Sequence, residues 1–132
     1  DQTCVTDGST QVITFETAEE YQDTTQFDTT NDRWTAPADG WLDLTAILSI
    51  DGGDDTDDSM NWGFYVNGVA KVHVLDNWRG RSKATGTEIV TSMSGGFKVS
   101  SGQTIDLRYT GVQYAVVLKN AYCHLSGTFI PD

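Results

Sequence analysis

Residues 31–50 read NDRWTAPADGWLDLTAILSI. In the second half Leu42, Leu44, Ala46, Leu48 and Ile50 fall on one face of an extended chain, with Asp43, Thr45 and Ser49 on the other. A period of two with a single apolar face predicts a strand that buries one side. One of the chain's two prolines, Pro37, stands just upstream. Proline cannot donate to a sheet ladder, so it belongs at a strand end or an edge. Asp39-Gly40 then offsets the backbone before Trp41. The stretch therefore predicts a short strand from Arg33 to Ala36, a tight corner, and a long inner strand. That is how a chain passes between the two sheets of a sandwich.

The same period recurs on both sides of this stretch. NWGFYVN (61–67) groups Trp62, Phe64 and Val66, and Asn67-Gly68 supplies a strong hairpin turn. VAKVHVLD (69–76) is its predicted partner, with Ala70, Val72 and Val74 inward and Lys71 and His73 outward. TEIVTSM (87–93) and GGFKV (95–99) read as two weaker strands around Gly95-Gly96. After a turn at 100–103, QTIDLRYT (103–110) sets Ile105, Leu107 and Tyr109 against Asp106 and Arg108. YAVVLK (114–119) and AYCHLSGTFI (121–130) are the last strand material; TCVT and QVITF, separated by Asp7-Gly8, are the first. Only TAEEYQD (17–23) could turn helically. Thirteen glycines and frequent turn signals predict an all-β fold: an antiparallel two-sheet sandwich or jelly roll of about ten strands. No linker or repeat divides the chain, so one domain over residues 1–132 is expected.

Nineteen acidic against eight basic residues give a net charge of −11. Such a surface repels phosphate backbones, and nucleic acid is not an expected partner. Fifteen of the acids are Asp, and most read as solvated loop carboxylates. No apolar run approaches the ~20 residues of a membrane-spanning helix, so no membrane insertion is expected. The sequence shows no signal peptide, which says little about export. Cys4 and Cys123 stand near opposite ends without CxxC spacing, which argues against a zinc or redox motif. Two buried thiols and a bridge both fit the pattern. A bridge would close a loop of about 120 residues, add up to roughly 4–5 kcal/mol, and call for an oxidising compartment.

The opening stretch also carries a resemblance. Trp34, Thr35-Ala36-Pro37, Gly40 and Trp41, leading into an alternating strand, resemble the entry to the main strand in complement C1q heads. Those heads share a jelly-roll superfamily with tumour necrosis factor. ITF (13–15), Tyr21 and Phe27 stand where that family has its first strand and the aromatics before the corner. FYVNG (64–68) resembles its Asn-Gly hairpin. GGFKVSSGQTIDLRY (95–109) is similar to its strand-turn-strand unit, with Gly102-Gln103 in place of Gly-Asp. LSGTFI (125–130) resembles the closing Phe-Ser-Gly-Phe strand, with Leu125 replacing the aromatic. The likeness covers residues 11–131 and departs from the family in the acidic segment 51–59 and the short region 111–120. It implies two antiparallel sheets with the terminal strands neighbours in the inner one. That arrangement would bring Cys4 close to Cys123 and favours a disulfide between them. It also implies a homotrimer. The fourteen aromatics exceed what one small core needs, and the surplus is expected to line subunit interfaces.

Two loops hold the candidate sites. In DGGDDTDDS (51–59), Asp51, Asp54, Asp55, Asp57 and Asp58 would repel one another unless a hard cation such as calcium joined them. The segment lacks the EF-hand's sixth-position Gly and final Glu, and a solvated loop is the alternative. No cofactor is required; calcium is the possible one. NWRGRSK (77–83) places Arg79, Arg81 and Lys83, three of the eight basic residues, beside Trp78. Trp and Arg are enriched at binding hot spots, so these four are candidate ligand-binding residues for an anionic group or a sugar. The same loop could instead pair with acidic residues of a neighbouring subunit. His73 and His124 each stand alone, and neither is expected to hold zinc. GxSxG, HExxH and phosphate-cradling glycine loops are all missing, and the paired carboxylates look loop-bound.

These features predict a non-enzymatic, homotrimeric recognition or structural head: the tip of a viral fibre or a capsid decoration. It would work at the virion surface or outside cells, with its loops on a cell-surface receptor, a glycan or a virion protein. The chain has no Asn-x-Ser/Thr acceptor, which disfavours an animal plasma protein. The alternative is a secreted carbohydrate-binding module, with Trp34, Trp41 and Trp78 stacking on sugar rings and calcium organising the acidic loop. A small hydrolase on the same scaffold has the least support.

Overall fold

The computed structural model describes residues 1–15, 27–28, 30–51, 59–77, 88–110 and 116–132, and of residues 59, 72–77 and 88–89 the backbone only. Among the described residues eleven strands divide between two sheets, every pairing antiparallel. The first sheet is centred on β5 (Gly40–Asp51). It is flanked on one side by β8 (Glu88–Val99) and on the other by β10 (Val117–Leu118) and β11 (His124–Pro131). β1 (Gln2–Thr3) pairs with β10. The second sheet runs β3 (Phe27–Asp28), β4 (Arg33–Thr35), β9 (Thr104–Thr110), β6 (Ser59–Val66), β7 (Val69–Asn77), and β2 (Gln11–Val12) also pairs with β9. The expected two-sheet antiparallel sandwich is what the chain forms.

The corner at Pro37 works as the sequence predicts. β4 lies in the second sheet and β5 in the first, so residues 36–39 carry the chain across the sandwich. Asp39 anchors this crossing: its Oδ1 accepts from Ser101 N at 2.8 Å and its carbonyl from Asp132 N at 3.0 Å. Along β5 every predicted inward residue is buried, from Leu42 to Ile50. Facing them are Trp62, Phe64 and Val66 of β6 and Ile105, Leu107 and Tyr109 of β9. Each fully buried large apolar side chain contributes roughly 1.5–3 kcal/mol. The hairpin turn is also as expected: Asn67 and Gly68 both have positive φ, +48° and +77°, as a two-residue turn matched to sheet twist requires.

Two expectations are corrected in this region. Gly95-Gly96 does not divide two strands; β8 runs unbroken for 12 residues opposite the whole of β5. Ala70 is exposed rather than inward. A bulge between Phe64 and Tyr65 sets Val72 opposite inward Phe64 but Ala70 opposite Tyr65, so one extra residue reverses the predicted face. Asp106 and Arg108 keep the face opposite Ile105, Leu107 and Tyr109, and Asp106 is only 5% exposed because Arg108 hydrogen-bonds across it. Among the described residues, Trp62, Phe64 and Tyr109 lie within the core. Phe15, Trp34, Phe97 and Phe129 pack at its margin, with Trp34 and Phe129 centroids 5.4 Å apart. The predicted helical turn at 17–23 and Tyr21 lie outside the described residues.

Candidate functional site

The outer face of the β8–β5–β11 sheet is built by the strict alternation of three strands. From Gly40 to Leu48 the buried positions of β5 are even-numbered, so Trp41, Asp43, Thr45 and Ile47 point away from the core. The register sets Lys98, Trp41 and Ile130 in one row, then Gly96, Asp43 and Thr128, then Ser94, Thr45 and Ser126, then Ser92, Ile47 and His124. Hydroxyls and glycine fill the middle. Large apolar side chains mark the two ends: Trp41 and Ile130 at one, Ile47, Val90 and Tyr122 at the other. In these rows Lys98 and Asp43 are the charged residues.

At the first end the indole of Trp41 lies over Gly96. A Cβ there would stand 2.8 Å from Trp41 Cζ2 and 2.5 Å from Asp43 Oδ1, so glycine is what lets the ring settle onto the sheet. Trp41 Nε1 donates to Asp43 Oδ1 at 2.8 Å, fixing the ring's orientation. Beside it opens a shallow groove of about 420 Å³ lined by Asp43, Leu44, Thr45, Ser94, Gly95 and Gly96. Thr45 Oγ1 and Ser94 Oγ share a hydrogen bond at 3.0 Å across its floor.

The sequence-predicted sites fare differently. Trp78, Arg79, Arg81 and Lys83, with Asp54, Asp55, Asp57 and Asp58, lie outside the described residues. Asp51 closes β5, its Oδ2 3.9 Å from Lys119 Nζ. Among the described residues no group of three or more metal-ligating side chains gathers. Cys4 and Cys123 are both buried thiols and not the expected bridge. Each has its own polar partner: Cys4 hydrogen-bonds the Tyr109 hydroxyl, and Cys123 Sγ donates to Ser49 O at 3.8 Å. Burial pushes the Cys4 thiol up to about 12, the Tyr109 hydrogen bond opposes this, and nearby Cys123 adds to it. Trp34, an expected sugar platform, instead packs at the sandwich margin. Trp41 is the one of the three named tryptophans that the described residues place outward.

The roles of Asp43 and Gly96 were not legible in advance. Asp43 read as one more polar residue on a strand, and Gly96 as a break. The signal was their spacing: Asp43 two residues after Trp41 shares its face, and Gly96 falls opposite Asp43 once β8 pairs with β5. No protein-family model matches the chain, and no curated protein matches it in sequence.

Proposed function

We propose that the chain is a non-enzymatic head module that assembles as a homotrimer, of the kind that ends a viral fibre or decorates a capsid. Subunits meet through the Ile47, Val90 and Tyr122 end of the open sheet face. The observation that carries this reading is the exposure of three apolar side chains: Val90 is 67% exposed and Ile47 36%, in successive rows of the paired strands β8 and β5, and Tyr122, 60% exposed, stands in the 3-10 turn just before β11. Exposed apolar side chains gathered on one flat face mark contact surfaces. The C1q-like motifs support a trimer over a dimer; the expected adjacency of the terminal strands is corrected, since β1 pairs with β10 and β11 with β5 within one sheet. The segment Trp78–Lys83 is the proposed contact for the receptor or virion partner.

Light scattering tests the assembly. The expected mass is three times 14.4 kDa at micromolar concentration, and Ile47→Asp combined with Val90→Asp should give a folded monomer. A monomeric parent protein would end the proposal. A double variant that remains trimeric would move the interface elsewhere.

A further inference from the structure

We infer that Trp41, Asp43 and the hydroxyls beside them form a binding platform for a neutral, gluco-configured pyranose. This rests on the module being a recognition head, and names the ligand class of one of its surfaces. Three independent features converge. The first is the ring itself: Trp41 is 41% exposed, with one face against Gly96 and the other toward solvent. A flat indole with a polar edge suits a sugar whose equatorial substituents leave a continuous C–H face. The second is that the indole N–H is already tied to Asp43 Oδ1. The ring is therefore pre-set, and binding costs little side-chain ordering. The third is the supply of hydrogen-bonding groups on the groove floor. Among the described residues nothing reaches the second carboxylate oxygen of Asp43, and Thr45, Ser94, Ser126 and Thr128 present hydroxyls on the same face.

Charge sets the class further. The carboxylate of Asp43 faces the groove, and the nearest cation in register, Lys98, is held by Asp132 Oδ1 at 2.7 Å. An acidic sugar would meet repulsion here, whereas a neutral one offers hydroxyl donors to Asp43. Saccharide and subunit contact occupy opposite ends of the face, with the Thr45, Ser94 and Ser126 row between them.

The test uses the purified full chain, titrated calorimetrically with the hexamers of β-1,4-linked glucose and of β-1,4-linked N-acetylglucosamine. The expected result is heat of binding and altered tryptophan emission with at least one of the two. Trp41→Ala should weaken that binding at least about tenfold. Asp43→Ala should weaken it less, and Gly96→Ala should weaken it by lifting the ring. Light scattering on Trp41→Ala should return the parent mass. No heat with either hexamer, or unchanged affinity in Trp41→Ala, overturns the inference. A fall in mass on Trp41→Ala overturns it too, because the ring then belongs to the subunit contact. A monomer that binds the sugar through Trp41 would sink the trimer and leave this platform standing.

Discussion

The two outer faces of the sandwich treat their polar residues in opposite ways. On the β9 side, Asp106 and Arg108 lie two residues apart on one face and close on each other: Arg108 Nε and Nη2 donate to the two carboxylate oxygens at 2.7 and 2.8 Å. The guanidinium also lies 5.3 Å from the centre of the Tyr65 ring. Those hydrogen bonds push the Arg108 guanidinium further above its already high range, against partial desolvation. On the β5 side, Trp41 and Asp43 are also two residues apart, yet they bind only through one oxygen and leave a ring face and a second oxygen outward. The same spacing thus yields an internal lock on one sheet and an open surface on the other. What differs is the partner: a fork-shaped cation satisfies a carboxylate completely, and an indole N–H satisfies half of it.

If groups turned inward carry stability and those on the open face do not, pH should show the largest effect. The Cys4 thiol ionises near 9.0 when unfolded but is held protonated to about 12 in the fold. Between those values the native state keeps a proton that the unfolded chain has lost. Stability is therefore full below pH 9 and falls as pH rises toward 12, by up to about 4 kcal/mol. Tyr109, also raised by burial, adds to the fall in the same direction. Urea denaturation from pH 8 to 11 should show this slope, and Cys4→Ala should flatten it. An equal slope in Cys4→Ala would show that the thiol is not the group responsible.

The next effect is smaller and separates the faces directly. Asp106→Ala removes both oxygens from a partly buried guanidinium and should cost about 2 kcal/mol by denaturant unfolding. Asp43→Ala, on the open face, should stay within about 0.5 kcal/mol of the parent. Equal costs at the two positions would erase the distinction between lock and surface.

Much of this fold was readable before any coordinates. The alternation of β5, the Pro37 corner and the Asn67-Gly68 hairpin each follow from short-range chemistry: side chains alternate in a strand, proline lacks a donor, and only certain residues accept positive φ. The candidate site was only partly readable. Trp41 could be named as an exposed aromatic, but Trp34 looked equivalent, seven residues away on the other side of the same corner.

An all-strand chain, the core-facing residues of β5 and the positions of its turns all follow from local sequence chemistry. Tertiary structure alone decided which polar residues are sealed and which remain outward. It brought Gly96 beneath the Trp41 ring, closed Arg108 over Asp106, and kept Cys4 and Cys123 as separate thiols with separate partners. The reason is physical. A strand's own pattern fixes which face a residue occupies, whereas its neighbours across the sheet are set by register, and register belongs to the assembled sheet.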